Sequence, residues 1–126
     1  MIKLSAILFC RLAAPADSGW VLGGLFRHIP LSELRNGLTV PFVYTLLTDV
    51  SPSENSIMNV QLIDPERDDE PIFSEAGLLL PKAGRTFVEF CVRLQGLNDL
   101  QPGRHEAQFS VDDILIDVAS MDVVRG

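Results

Sequence analysis

Two histidines, His28 and His105, are the side chains of this chain best placed to move a proton near neutral pH, because imidazole alone titrates there without perturbation. A hydrolase built on either would need a nucleophile, and Ser18, Ser51, Ser53 and Ser74 all lie near prolines or acids. None is framed as the Gly-x-Ser-x-Gly elbow that exposes a serine, so a triad would have to assemble in space. His105 shares its parity with Ala107, Phe109 and Val111 and reads as a hydrogen-bonded histidine near a strand start. His28 follows Arg27 at the end of an apolar run and reads the same way.

The most polar stretch, Asp64-Pro65-Glu66-Arg67-Asp68-Asp69-Glu70, has the oxygen ligands that calcium takes. It lacks the turn glycine of a calcium loop, and Arg67 competes for the carboxylates, so a solvated connection is the expectation. Asp112 and Asp113 read as turn residues, with Asp117 just beyond them. Paired carboxylates for sugar hydrolysis want an aromatic groove, and beyond the phenylalanines there are only Trp20 and Tyr44. Gly23-Gly24 sits inside a strand-like run instead of opening a helix, which argues against a phosphate loop. Cys10 and Cys91 have no C-x-x-C neighbour and fall in apolar runs, the setting of buried free thiols. A bridge between them would require the first and sixth expected strands to lie side by side. No catalytic, cofactor-binding or metal-binding residue is assigned, and no cofactor is expected.

These side chains must be carried by a fold, and the chain of 126 residues suffices for one domain, residues 1–126. It should bury roughly 13,000 Å² of the roughly 20,000 Å² its unfolded form exposes. With 17 acidic against 10 basic side chains the net charge is -7, a field that repels phosphate backbones and anionic lipid. Neither nucleic acid nor membrane is expected as a partner, the more so because the arginines are scattered singly. Leu4 to Cys10 after Lys3 faintly resembles a secretion signal, but Arg11 interrupts it. A first strand and a cytoplasmic location are the expectation.

Strand periodicity dominates. His105 to Val111 alternates apolar with polar residues, Pro102-Gly103 introduces it, and Asp112-Asp113 leads into Ile114 to Ile116, the pattern of a tight hairpin. Thr86 to Leu94 places Val88, Phe90, Val92 and Leu94 on one face. Ile57 to Ile63 groups Met58, Val60 and Leu62, and Asp64-Pro65 stops it. Leu38 to Leu47 follows the turn signal Asn36-Gly37 and sets Leu38, Val40, Phe42, Tyr44 and Leu46 together, with Pro41 suggesting an edge or a bulge. Trp20 to Ile29, Ile2 to Cys10 and a weak strand between Ile72 and Leu80 complete the set. Pro30 to Asn36 is the one short helical candidate, with Gly37 as its cap. The sum is an all-β, antiparallel β-sandwich of about seven or eight strands with at most one short helix.

The segments Leu4 to Cys10, Val21-Leu22-Gly23-Gly24-Leu25-Phe26, Pro81-Lys82-Ala83-Gly84-Arg85, Leu94-Gln95-Gly96-Leu97, Pro102-Gly103-Arg104-His105 and Val111-Asp112 carry a likeness over most of the chain. In them it resembles a family of small bacterial proteins known as a conserved domain of unknown function. The resemblance implies an antiparallel β-sandwich and no activity. Asp113 departs from it, standing where glycine or asparagine is more usual in the closing turn.

Trp20 to Ile29 and Ile114 to Val124 are apolar on both parities in places, although one face of each sandwich strand should be wet. Something should cover that outer face: the Pro30 to Asn36 turn, a second copy, or a larger partner. The expected function is therefore a non-enzymatic β-sandwich module that binds another protein or itself. The alternatives are a calcium- or carbohydrate-binding module using the acidic loops, and a small hydrolase using His105 or His28.

Overall fold

Alternation along the chain produces nine strands and one helix in the computed structural model, which describes residues 2–97 and 100–126, the side chains of residues 68 and 69 excepted. In order they are β1 (Lys3–Ala16), β2 (Gly19–Leu25), β3 (His28–Pro30), α1 (Leu31–Arg35), β4 (Phe42–Thr48), β5 (Ser56–Asp64), β6 (Asp68–Leu79), β7 (Val88–Arg93), β8 (Gly103–Val111) and β9 (Ile114–Val124). They form two layers, a four-stranded sheet in the order β2-β1-β4-β7 and a five-stranded sheet in the order β3-β9-β8-β5-β6. All pairings are antiparallel except the short one between β3 and β9. Among the described residues no helix is long and apolar enough to cross a membrane.

The second sheet follows its sequence pattern closely. Met58, Val60 and Leu62 of β5 and His105, Ala107 and Phe109 of β8 turn inward and are buried. Asn59, Gln61, Gln108 and Ser110 turn outward, and Asn59 bonds Ser74 across the pair. This outer face is polar along its middle, as alternation requires, with the exposed pair Ile57 and Leu78 at one end. The β8–β9 connection is a two-residue hairpin closed by Val111 and Ile114. Asp112 and Asp113 have φ of 48° and 67°, so both central positions are left-handed, the condition of a type I′ turn. Asp112 does more than turn: its Oδ1 accepts the Ile57 amide and its own amide donates to the Ile57 carbonyl, tying the turn to β5.

The first sheet departs from the sequence reading in three places. Trp20 to Ile29 is two strands, because the chain crosses at Phe26 and Arg27 from one sheet to the other. That segment is apolar on both parities because it serves two sheets, and Gly24, at φ 64°, supplies the irregular step just before the crossing. β1 continues past Arg11 to Ala16, since Asp17-Ser18 closes a hairpin with β2. β4 starts at Phe42, not Leu38, and is central, with Pro41 lying just before it and accepting a bond from the Leu94 amide. Phe42, Tyr44 and Leu46 do share one face, as their spacing sets them, and it is the outer one, since the core side chains are Val43, Thr45 and Leu47. A run apolar on both parities carries no information about which face is inside.

One core joins the layers, built from Phe9, Val43, Leu47 and Val92 on one side and Val60, Leu62, Phe109 and Met121 on the other. Helix α1 closes one end, burying Leu31 and Leu34. Arg11 fastens it to β1 through a salt bridge to Glu33 at 3.1 Å, and Glu33 also accepts from the Thr39 hydroxyl. The Arg11 bond, then the Thr39 hydroxyl, hold the Glu33 carboxyl below the usual range.

Candidate functional site

The residues with chemical potential separate into clusters that do not meet. His105 is fully buried, with Nδ1 3.1 Å from the Gly103 carbonyl, which fixes that nitrogen as the donor. Its Nε2 lies 3.6 Å from Asp64 Oδ2, beyond hydrogen-bond length, and has no partner among the described residues. Asp64 is itself buried and is held by the Arg67 guanidinium and the Glu66 amide. Burial alone would raise its carboxyl, but the Arg67 bond, the Glu66 amide and the charges of His105 and Arg67 together bring it below the usual carboxylate range. Arg67 also donates to the Pro102 carbonyl at 2.9 Å. The group therefore ties the β5–β6 turn to the start of β8, and His105 is closed to any substrate in this conformation.

The other candidates are dispersed. His28 is exposed on β3, with Nδ1 3.4 Å from Asp122 Oδ2. Ser51 bonds Ser53, Ser74 bonds Asn59, and Ser18 occupies the β1–β2 turn. No described serine bonds either histidine. Within the acidic stretch Arg67 takes Asp64, and the side chains of Asp68 and Asp69 lie outside the described residues. Among the described residues no three of histidine, cysteine, aspartate and glutamate are gathered so as to hold a metal. Asp117 spends one oxygen on the Val118 amide, 2.7 Å away.

The feature that gathers side chains from many elements is the outer face of the first sheet. Register places Leu8, Tyr44 and Cys91 in one row across β1, β4 and β7, with Cys10, Phe42 and Arg93 in a second row and Ala6, Leu46 and Glu89 in a third. In a simple sandwich these would be wet, yet Cys10 is fully buried and Tyr44 nearly so. The cause is the β1–β2 hairpin, which curls over this face until Trp20, on one edge strand, reaches Glu89 on the opposite edge. Glu89 Oε2 accepts from the Trp20 amide at 3.2 Å and from the Tyr44 hydroxyl at 2.6 Å. Burial, then the Glu89 bond, push the Tyr44 phenol well above its ordinary range. Gly19 is required at this clasp: its φ is 132°, and a Cβ there would stand 2.6 Å from Glu89 Oε1.

β4 lies between β1 and β7, so Cys10 and Cys91 are separated by a strand and staggered by a row. At about 4.8 Å per strand step their Cα atoms exceed disulfide reach, and both are free thiols. Burial raises Cys10, and burial with the neighbouring Cys10 and Glu89 pushes Cys91 up to about 12. Both should resist alkylation in the folded protein. Glu89→Ala removes the clasp's acceptor and is expected to cost about 1–3 kcal/mol and to speed Cys91 labelling, measured by mass spectrometry. Unchanged labelling would mean that the hairpin does not depend on Glu89.

Away from the clasp the trough stays open. Leu12 and Val21 of the hairpin, Leu38 and Val40 of the loop before β4, and Phe42 and Arg93 on its floor line a groove of roughly 1080 Å³. Leu12, Val21 and Leu38 are 69%, 62% and 75% exposed. Helix α1 buries its leucines in the core and leaves these residues bare, so of the three candidate covers the turn Pro30 to Asn36 does not cover them. A second apolar surface stands at the β8–β9 hairpin tip, where Ile114, Leu115 and Ile116 are 67%, 55% and 46% exposed. The tip lies in Ile114 to Val124 and Val21 of the groove in Trp20 to Ile29, the two segments apolar on both parities, whereas Leu12, Leu38, Phe42 and Arg93 come from elsewhere. Neither the groove nor the inward curl of the hairpin was legible in the sequence. The one signal was that Trp20 to Ile29 is too apolar for a single wet-faced strand.

An immunoglobulin-like protein from Pseudomonas aeruginosa superposes on 98% of this chain and on 96% of its own length with a TM-score of 0.53. The fold is immunoglobulin-like. At 11% identity the likeness reaches the fold alone. No protein-family model matches the chain, and no curated protein matches it.

Proposed function

We propose that this immunoglobulin-like domain is a non-enzymatic interaction module whose working surface is the open trough on the outer face of the β2-β1-β4-β7 sheet. The observation that carries the reading is the exposure of Leu12, Val21 and Leu38 around one groove whose floor is Phe42 and Arg93. A monomer that buries its apolar side chains wherever it can has no folding reason to leave three large aliphatic residues bare together. The histidines support the same reading: His105 is enclosed and His28 stands on the surface beside Asp122. The wet face of the other sheet, with Asn59, Gln61 and Gln108, is the natural control surface.

The test is cross-linking in native extract with Val21→Asp and Leu38→Asp, compared with Gln61→Ala. Proteins joined to the wild type and to Gln61→Ala, other copies of this chain included, should fall by about tenfold or more with both groove variants, as loss of a central apolar contact implies. Equal recovery with groove and control variants would sink the reading.

A further inference from the structure

The groove and the hairpin tip are opposites in everything but hydrophobicity. The groove is concave and contains Arg93, which is exposed and has no hydrogen bond or ion pair to a described residue. Arg11, also at its wall, is already committed to Glu33. In a chain of net charge -7 an unpaired guanidinium on an apolar floor is a specific request for a carboxylate carried by an apolar segment. The tip is convex and reads Asp112-Asp113-Ile114-Leu115-Ile116-Asp117. Its three aliphatic side chains are exposed. Asp112 is bonded to Ile57, Asp117 spends only Oδ1 on Val118, and Asp113 has no partner among the described residues.

From this complementarity we infer that the trough of one copy receives the β8–β9 hairpin tip of a second copy, with Ile114, Leu115 and Ile116 against Leu12, Val21, Leu38 and Phe42, and Arg93 meeting Asp117. The inference rests on the trough being the interaction surface and adds its occupant. The contact joins two different patches, so it is heterologous. It closes as a reciprocal pair if each tip reaches the other's trough, and otherwise continues head to tail. A single hairpin in a groove buries less than a standard interface, so association is expected at micromolar concentrations or above. The register shift between Phe109 and Ser110 leaves Ile116 as the extra residue of a β9 bulge, which interrupts the ladder next to the tip and disfavours edge-to-edge pairing there.

The test uses the full chain in sedimentation equilibrium from about 1 µM to about 1 mM, a range that brackets such an affinity. Leu38→Asp spoils the trough and leaves the tip intact, whereas Leu115→Asp spoils the tip and leaves the trough intact. Both positions are exposed, so both variants should fold, which circular dichroism checks. Each alone should be monomeric, and an equimolar mixture should form a 1:1 complex, since one good trough then meets one good tip. A charge exchange adds a second readout. Arg93→Asp and Asp117→Arg should each weaken association by about tenfold or more, and the chain carrying both should recover to within about threefold of wild type. A wild type that is monomeric throughout, variants that associate as wild type does, or a mixture that stays monomeric would each overturn the inference. If the wild type is monomeric while the groove variants still lose other cross-linked proteins, the trough is an interaction surface with a different occupant. If nothing depends on the groove, both readings fall.

Discussion

Replacing Phe109 with alanine is expected to cost about 3–5 kcal/mol and to bring the domain to the edge of unfolding. Phe109 is fully buried in the middle of β8, opposite Val60 of β5 and Asp117 of β9, and its ring faces the core shared by the two sheets. Truncation removes the transfer energy of the ring and leaves a cavity that backbone hydrogen bonding on both sides of β8 keeps from collapsing. Chemical denaturation gives the measurement, with Ile57→Ala as the comparison. Ile57 is 52% exposed on the wet face of the same sheet, and its truncation should stay within about 0.5 kcal/mol. Similar midpoints for the two variants would show that the core is not centred on β8.

The second large effect belongs to Asp64. Its folded carboxyl titrates below the unfolded value, so ionisation stabilises the native state. A depressed acid contributes fully above its unfolded pKa, near 3.9, and the contribution disappears as pH falls through the lower folded value. Asp64→Asn keeps an acceptor but loses the charge that Arg67 and His105 face, and the loss should be about 1–3 kcal/mol at pH 7. The half-exposed Arg67 places it toward the lower end of that range, because solvent screens its share. Urea midpoints for wild type and Asp64→Asn should converge as pH drops below about 4. Glu33, depressed by Arg11 and Thr39, makes both proteins acid-sensitive, which is why the difference between them is the informative quantity. A gap that persists at low pH would remove the charge from the explanation.

How much of this was legible varies by element, for physical reasons. Met58, Val60 and Leu62, and the run from His105 to Val111, have one wet face, so alternation names the buried one. The Asp112-Asp113 turn is local chemistry, and aspartate's tolerance of left-handed φ made it readable without a glycine. Leu38 to Leu47 misled because β4 is central and its second face lies under the curled hairpin, so both parities are apolar. Trp20 to Ile29 misled because one run supplies strands to two sheets. Cys10 and Cys91 sit on the same face, yet whether they were adjacent depended on β4 lying between them, and strand order is a non-local property.

The trough shows the division most clearly. Leu12, Val21, Phe42 and Arg93 come from four different strands, and their only sequence trace was an excess of apolar residues where a wet face belonged. The amino-acid sequence by itself determined the class of fold, the inward faces of β5 and β8 and the closing hairpin, because these follow from side-chain period and turn conformation within a few residues. Tertiary structure alone decided that the β1–β2 hairpin would curl over its own sheet, that Glu89 would clasp it, and that Arg93 would stand on an apolar floor with no partner among the described residues. Those outcomes depend on contacts between residues some seventy positions apart, such as Trp20 with Glu89, and no local period encodes them.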